Sequence, residues 1–250
     1  MVGQGSFGKV YRVNYQQTKF AVKKMDKSMD QPQYIQEEIN QFNKLKDQKY
    51  IIPMLAHFED ERFHYLVMPF VDQSLTQIVT SSDKQFKQKM MLQLVLALKS
   101  VHEQKIVHRD IKTDNLMIFE DNICLIDFNT SKQYQTLMNI ETEIGSSYYR
   151  APEIYTATQG YNNKVDLYSV GCVWYELLYG QQLETLVNND SSLNKTLLKM
   201  GQQSLPKLPA DEQIYDDHKY RYFCNLMIST EPQDRPSISI ILDAFIKELQ

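Results

Sequence analysis

Four polar residues whose side chains could handle a phosphate group lie within one short stretch of the chain, residues 106–129: Asp110, Lys112, Asn115 and Asp127. Two short apolar runs, 116–119 and 123–126, are separated by a turn-like segment and predict a β-hairpin. The hairpin would bring Asn115, just before its first strand, close to Asp127, just after its second. An oxygen from each could then bind the same hard cation, such as Mg²⁺, which takes its other ligands from phosphate and water. The alternative is a solvated turn with scattered charges, and it fits less well because the neighbouring runs are apolar enough to be buried.

Three glycines near the start of the chain form a G-x-G-x-x-G pattern at Gly3, Gly5 and Gly8. Their missing side chains would let the backbone approach phosphate groups closely. A dinucleotide-binding fold would continue with a helix after such a pattern. Here the alternating residues 9–15 and 19–25 predict a β-hairpin instead. The second strand places the ammonium of Lys23 on a sheet face beside small apolar residues.

The remaining patterns predict a small sheet followed by a mainly helical region. Residues 33–45 read as an amphipathic helix, and residues 54–58 and 63–68 read as two further strands. After residue 70 the apolar periodicity predicts helices at 84–103, 164–179, 193–200, 219–228 and 237–249. We therefore expect an α+β chain with a single domain over 1–250, in which residues 1–70 form a small lobe and 71–250 a larger one.

Composition and charge exclude several classes of protein. The chain has 250 residues and a net charge of -4, which argues against a nucleic-acid binder or a protein of anionic membranes, because such partners select basic surfaces. No apolar run approaches the roughly 20 residues that cross a bilayer. A cytoplasmic or nuclear location is the default expectation. The three cysteines lie far apart in apolar surroundings, which predicts buried side chains and no disulfide or metal site.

The order of motifs along the whole chain resembles that of the eukaryotic-type protein kinases. The matching pieces are G-x-G-x-x-G-x-V at 3–10, A-V-K at 21–23, H-R-D-x-K-x-x-N at 108–115, D-F-x at 127–129 and A-P-E at 151–153. Any one could occur by chance, but all of them in this order make a specific signal. The resemblance implies a two-lobed fold, with a small antiparallel sheet and one helix in the first lobe and mainly helices in the second. It also implies ATP and Mg²⁺ as cofactors and proteins as substrates.

The resemblance implies separate roles for the polar residues. Lys23 would bind the α and β phosphates of ATP, and Glu38 would pair with Lys23, with Glu37 as the alternative. Asp110 would accept the proton of the substrate hydroxyl or orient that hydroxyl. Lys112 would act as a cation near the transferred group, and its position two residues after Asp110 looks like the serine/threonine branch of the family. Asn115 and Asp127 would bind the magnesium.

For ATP, the resemblance implies a glycine-rich loop that covers the phosphates and an apolar slot that holds the adenine. The glycines are Gly3, Gly5 and Gly8; the slot is formed by Val2, Val10 and Ala21 above the adenine, Met117 below it and Met68 behind it. The carbonyl of Pro69 and the N–H of Val71 would bind the edge of the ring. Individually, these residues could equally be ordinary core.

Other matched positions imply structural and regulatory roles. Glu153 and Arg235 resemble a buried ion pair that braces the larger lobe, and Asp166 resembles the aspartate that supports the catalytic loop. Thr142 matches the position of an activating phosphosite. An upstream kinase would phosphorylate it, and the phosphate would pair with Arg109.

Two departures from the family pattern leave alternatives open. Asn129 stands where the family usually has glycine, and the sequence that would form most of the first strand before Val2 is missing. Asparagine is the residue that next best tolerates left-handed backbone, so we expect activity to be retained. The alternative is a pseudokinase that acts as an ATP-binding or scaffold module. A small-molecule phosphotransferase is a third and weaker reading, because 151–153 and the loop before it match a platform for peptide substrates.

Overall fold

The structure of the chain, a computed structural model, describes residues 1–5, 8–28, 33–134, 148–156, 160–194, 198, 203–208 and 218–246. Two regions with different secondary structure follow each other along the chain. The first is mainly an antiparallel sheet and the second mainly helices. The two-lobed α+β arrangement predicted from the sequence is therefore confirmed.

The sheet of the first lobe has five strands in the order β1-β2-β3-β5-β4, and all neighbours are antiparallel. The strands are β1 (Gly3–Gly5), β2 (Gly8–Tyr15), β3 (Thr18–Asp26), β4 (Ala56–Glu59) and β5 (Phe63–Pro69). Gly8 starts β2 where a β-carbon would lie 2.5 Å from the carbonyl oxygen of Lys24. The backbone of the glycine segment therefore runs so close to β3 that a side chain at this position would clash.

One helix, α1 (Gln33–Lys44), follows β3 along the chain and contacts it. Its apolar residues Ile35, Ile39 and Phe42 recur every three or four positions and are buried, as the amphipathic pattern predicts. The same buried face carries Glu38. A carboxylate in that position needs a partner, because an isolated buried charge is costly.

The second lobe is mainly helical. Its α-helices within the described residues are α2 (Lys84–Glu103), α3 (Glu153–Thr156), α4 (Lys164–Tyr179), α5 (Leu183–Asn189), α6 (His218–Met227) and α7 (Ile238–Ala244). Asp83 caps α2 by accepting a hydrogen bond from the backbone N–H of Phe86 at 2.9 Å. Helix α4 is buried almost all round, with Trp174 fully enclosed. It is the central element of this lobe.

Four short strands lie between α2 and α3. β6 (Ile106–Val107) pairs with β9 (Lys132–Gln133), and β7 (Leu116–Phe119) forms a hairpin with β8 (Asn122–Leu125). The predicted hairpin is present, although its second strand begins and ends one residue earlier than the apolar run 123–126. These strands fix the segments that carry the polar cluster.

All three cysteines are buried and free: Cys124, Cys172 and Cys224. Burial raises the pKa of each thiol, to about 11 for Cys124. This agrees with the expectation of small buried side chains. Within the described ranges, no helix is both long enough and apolar enough to span a membrane.

Candidate active site

A buried ion pair joins the small sheet to α1. Lys23, on β3, donates from Nζ to both carboxylate oxygens of Glu38, on α1, at 2.6 and 2.9 Å. Only 6% of Lys23 and 1% of Glu38 are exposed. The neighbouring Glu37 instead lines a surface groove beside β9. Of the two glutamates considered from the sequence, Glu38 is therefore the one that contacts Lys23.

The charge of Lys23 is set by two opposing effects. Burial alone would lower the pKa of its ammonium, but the nearby carboxylates of Glu38 and Asp127 outweigh burial and raise that pKa above its ordinary value. Lys23 is therefore a permanent cation at neutral pH. A cation fixed in this way suits an anionic ligand such as a phosphate.

The loop after β6 is positioned by Asp166, in the first turn of α4. Its Oδ2 accepts from the backbone N–H of His108 at 2.9 Å, and its Oδ1 accepts from that of Arg109 at 2.8 Å. Nε2 of His102, at the end of α2, lies 2.9 Å from Oδ2. Arg109 has a left-handed backbone, with φ of 68°, which is uncommon for a residue with a side chain. The buried carboxylate thus fixes an unusual backbone conformation next to Asp110.

Asp110 lies at the centre of a small hydrogen-bond network. Its Oδ2 accepts from Lys112 Nζ at 3.0 Å and from Asn115 Nδ2 at 2.9 Å. Asn115 Nδ2 also donates to the backbone carbonyl of Asp110 at 2.8 Å. Because both bonds use the nitrogen of the Asn115 amide, its oxygen Oδ1 is the atom that can serve as a ligand.

The β7–β8 hairpin places Asn115 and Asp127 on neighbouring chain segments. Leu116 pairs with Leu125, and the N–H of Ile126 donates to the carbonyl of Asn115 at 3.0 Å. Asp127 follows directly, with φ of 66°. Burial would raise the pKa of its carboxyl group, but the charge of Lys23 outweighs burial and lowers it. The carboxylate is therefore ionised at neutral pH.

The available donors fit Mg²⁺. The site offers one amide oxygen and one carboxylate, and Mg²⁺ usually takes only one or two oxygen ligands from protein. In the described part of the chain, no three His, Cys, Asp or Glu side chains cluster as metal ligands. This donor set suits a cation that completes its shell with phosphate and water oxygens.

The side chain of Asn129 also enters this cluster, which the sequence reading did not predict. Its Oδ1 accepts a hydrogen bond from Lys23 Nζ, and its Nδ2 donates to Asp127 Oδ1. Lys23 Nζ itself lies 3.2 Å from Asp127 Oδ1. The carboxamide therefore bridges the cation of β3 and the carboxylate that follows β8. The only sequence signal for this contact is an asparagine in place of glycine, since the partners are 106 residues apart.

The residues expected around adenine lie on the small sheet and on β7. Val10 lies opposite Lys23, and Ala21 opposite Met68, in adjacent strands. Val10, Ala21, Pro69, Val71 and Met117 are half-buried, Met68 is buried and Val2 is exposed. Gly3 and Gly5 lie on β1, opposite Val10 and Gly8. Partly covered apolar surface of this kind is compatible with a binding slot as well as with ordinary packing.

Arg235 and Glu153 form a second buried ion pair, away from the polar cluster. Nη1 and Nη2 of Arg235 donate to the two carboxylate oxygens of Glu153 at 2.6 and 2.8 Å. Arg235 also donates to the backbone carbonyls of Ser229 at 2.9 Å and Lys164 at 3.0 Å. The guanidinium thereby ties α3 to the start of α4 and to the segment after α6.

Thr142 lies outside the described residues. Arg109, its expected partner, donates from Nε to the backbone carbonyl of Thr130 at 2.5 Å and is 6% exposed.

A buried carboxyl group, Glu176 on α4, was also missed from the sequence. Its Oε1 accepts from the Tyr149 hydroxyl at 2.9 Å and from the N–H of Leu183 at 2.7 Å. The sequence signal that could have indicated it is an acidic residue inside a helix that is otherwise apolar in that region. Because α4 is buried almost all round, an acidic residue within it is buried as well.

Comparison with known proteins identifies the family. A protein kinase domain model matches residues 1–245. The chain is 30% identical to the mouse serine/threonine-protein kinase Nek1, over 97% of the chain and 20% of that protein. It is 31% identical to the Arabidopsis thaliana serine/threonine-protein kinase TIO, over all of the chain and 19% of that protein. It is also 31% identical to a probable serine/threonine-protein kinase, glkA, of Dictyostelium discoideum, over 80% of the chain and 43% of the relative. The chain thus spans less than half the length of these relatives. Because the protein kinase domain model matches almost the whole chain, the chain belongs to the protein kinase family.

Proposed function

We propose that this domain is a serine/threonine protein kinase that transfers the γ-phosphoryl group of ATP to hydroxyl groups of protein substrates. The observation that carries the proposal is that a buried cation and a hydrogen-bonded network around Asp110 lie at the same hairpin. The paired cation Lys23 lies 3.2 Å from Asp127, and the Asp110–Lys112–Asn115 network lies at the same open end of the β7–β8 hairpin as Asp127. Phosphoryl transfer depends mainly on alignment and charge stabilisation, and these residues supply both.

Lys23 would contact the α and β phosphates, and the buried Glu38 keeps its side chain in position. Asp110 would orient the substrate hydroxyl and accept its proton, while its contact with Lys112 puts a cation beside the group being transferred. Asn115 Oδ1 and the carboxylate of Asp127 would bind Mg²⁺, which neutralises charge on the phosphates when bound. Because these groups are fixed by hydrogen bonds before substrate arrives, little reorganisation is needed during the reaction.

The assignment to the serine/threonine branch, as opposed to the tyrosine kinases, rests on Lys112 and on the names of the relatives. Lys112 lies two residues after Asp110, a spacing that resembles the serine/threonine branch, and its Nζ lies 3.0 Å from Asp110 Oδ2. Relatives covering nearly the whole chain are named as serine/threonine-protein kinases. We further propose that an upstream kinase acts on Thr142 and that the phosphate pairs with Arg109. Only the Nε–H of Arg109 is bonded to the carbonyl of Thr130, and the phosphate would bind other N–H donors of the guanidinium.

The test is magnesium-dependent transfer of labelled phosphate from ATP to generic protein substrates. Asp110→Asn and Asp127→Asn keep the size of each side chain but remove its charge, and each should lower the rate by about 10²-fold or more, because one loses the group facing the hydroxyl and the other a metal ligand. Asp121→Asn is the matched control: it makes the same chemical change at an exposed position of the β7–β8 turn. It should transfer phosphate like the parent.

A parent protein with no more magnesium-dependent transfer than Asp110→Asn and Asp127→Asn would contradict the kinase proposal. The scaffold reading would then take its place. Phosphoamino-acid analysis of the product separates the branches, since phosphotyrosine as the main product would contradict the serine/threonine assignment.

A further inference from the structure

We propose that the carboxamide of Asn129 occupies the phosphate-binding position of Lys23 and competes there with the phosphates of a bound nucleotide. This inference rests on the proposed function, because it takes Lys23 as the cation that binds those phosphates. It concerns a residue that stands in place of the family's usual glycine, which has no side chain to make this contact.

The hydrogen bonds of Lys23 are the first step of the argument. An ammonium group has three N–H donors. Four acceptor oxygens surround Nζ in the structure: Oε1 and Oε2 of Glu38, Oδ1 of Asp127 and Oδ1 of Asn129. The donors are therefore fully used before a nucleotide arrives. A phosphate oxygen can bind Lys23 only if one of these acceptors is displaced.

Asn129 is the acceptor that is easiest to displace. Glu38 is ionic, bonded through both oxygens and 1% exposed, so its release would leave a buried charge without its partner. Asp127 is also ionic and is the expected metal ligand. The Asn129 amide is neutral, and a neutral oxygen binds an ammonium less strongly than an anionic one. A phosphate oxygen would therefore replace Asn129 Oδ1.

Electrostatics determines which end of the Asn129 amide faces Lys23. An amide has an acceptor end and a donor end. The acceptor faces the ammonium of Lys23, and the donor faces the carboxylate of Asp127. The opposite orientation would place a donor against a donor and an acceptor against an acceptor. The two charged neighbours thus keep the carboxamide oxygen on Lys23 when no nucleotide is bound.

The prediction is that Asn129 weakens the binding of nucleotides that carry phosphates and leaves adenosine binding unchanged. Asn129→Ala removes the carboxamide, so Lys23 has a donor available for phosphate. We expect the Kd for ADP to fall by about tenfold, the effect of one hydrogen bond to a charged group. The Kd for adenosine should stay the same, because adenosine does not reach Lys23.

The experiment is calorimetric titration of the intact chain with ADP and with adenosine, in the absence of Mg²⁺. The parent, Asn129→Ala and Asn129→Gly are compared. Both variants lose the carboxamide, but only glycine adds backbone freedom. Tighter ADP binding by both, with equal adenosine binding, is the expected result. Adenosine binding also reports that each variant is folded.

Three outcomes would overturn the proposal. ADP binding by Asn129→Ala could be unchanged or weaker, which would show that the amide does not compete. Only Asn129→Gly could bind ADP more tightly, which would assign the effect to the backbone. ADP and adenosine could both bind more tightly, which would indicate a change in the whole slot. Failure of the kinase proposal itself looks different, because it shows as magnesium-dependent transfer no higher than that of Asp110→Asn and Asp127→Asn, whatever the nucleotide binding. If no variant bound adenosine or ADP, the inference on Asn129 would also be wrong.

Discussion

At the scale of single residues, Glu176 shows how burial changes the chemistry of a carboxyl group. The side chain is 1% exposed, and its Oε2 has no hydrogen-bond partner among the described residues. Burial raises the pKa of Glu176 to about 7, although the hydrogen bonds from Leu183 and Tyr149 act in the opposite direction. The folded chain therefore retains this proton at pH values where the unfolded chain has lost it.

This difference predicts a pH-dependent contribution to stability. The folded pKa of Glu176 is about 7 and the ordinary value is 4.5, so the contribution is fully present below pH 4.5 and is lost as pH rises through 7. Glu176→Gln stays neutral and avoids this loss. From pH 5 to pH 8 the variant should gain stability relative to the parent, by up to about 3 kcal/mol. Urea unfolding at several pH values measures the difference.

Glu184→Gln is the control for this measurement. Glu184 lines the same surface groove as Glu176 but is exposed, and the substitution removes the same charge. Its stability relative to the parent should not change with pH. If the difference between Glu176→Gln and the parent were also constant from pH 5 to pH 8, the raised pKa of Glu176 would be wrong.

At the scale of elements, the Arg235–Glu153 pair connects parts of the second lobe that are distant in sequence. Arg235 is 1% exposed and makes bidentate contact with Glu153 at 2.6 and 2.8 Å. Removing one partner of a buried pair leaves the other charge without compensation. Arg235→Ala should therefore lower the free energy of unfolding by about 3 to 5 kcal/mol, measured by denaturant unfolding.

The same substitution at an exposed ion pair shows how much of the lost stability comes from burial of the pair and how much from loss of the charge alone. Arg62 pairs with Asp26 at 3.1 Å, but 72% of the Arg62 side chain is exposed. Arg62→Ala should cost less than about 1 kcal/mol, because exposed ion pairs contribute little. Equal stability of Arg235→Ala and the parent would show that Arg235 is not a brace.

The elements differ in how well the sequence predicted them. The bounds of α2 and α4 were predicted correctly, since long helices carry a strong apolar periodicity. Helix α5, Leu183–Asn189, was not predicted, because seven residues give too few turns for a clear pattern. The predicted helix at 193–200 lies mostly outside the described residues.

The polar cluster was predictable for a different reason. Asp110, Lys112 and Asn115 lie within six residues of each other, so their meeting follows from local spacing. Their distance to Asp127 follows from the β7–β8 hairpin, which is also local. The contact of Lys23 with Asn129 joins residues 106 positions apart and depends on how the lobes meet. No local pattern encodes it, so it required the structure.

At the scale of the whole molecule, Lys23 is where three parts of the chain meet. Its ammonium contacts Glu38 on α1 and both Asp127 and Asn129 after β8, while its backbone belongs to β3. Lys23 therefore links α1 to β3 and to the segment after β8. An aromatic contact between Phe42 on α1 and Phe128, with ring centroids 5.3 Å apart, supports the same arrangement.

Lys23→Met tests this link. The variant leaves the buried carboxylate of Glu38 without its cation, so α1 should open more often to let that charge reach water. Hydrogen exchange of the backbone amides of α1 should become at least about tenfold faster, since 1.4 kcal/mol already gives that factor. The amides of α4, in the other lobe, serve as the internal reference and should be unchanged.

A second substitution should reverse the effect. Lys23→Met combined with Glu38→Leu replaces the ion pair with apolar side chains, which is often neutral for stability. Exchange in α1 should then return towards that of the parent. Unchanged exchange in Lys23→Met alone would show that packing, including the Phe42–Phe128 contact, is enough to position α1.

The buried cysteines have a practical consequence for spectroscopy. Cys124, Cys172 and Cys224 are all enclosed, and their raised pKa values keep them as thiols at neutral pH. The thiolate is the form that reacts with maleimides and other alkylating labels. The natural sequence therefore already serves as a silent background for site-specific labelling. A pair of cysteines introduced at exposed positions, one in each lobe, would carry fluorophores or spin labels that report the distance between the lobes.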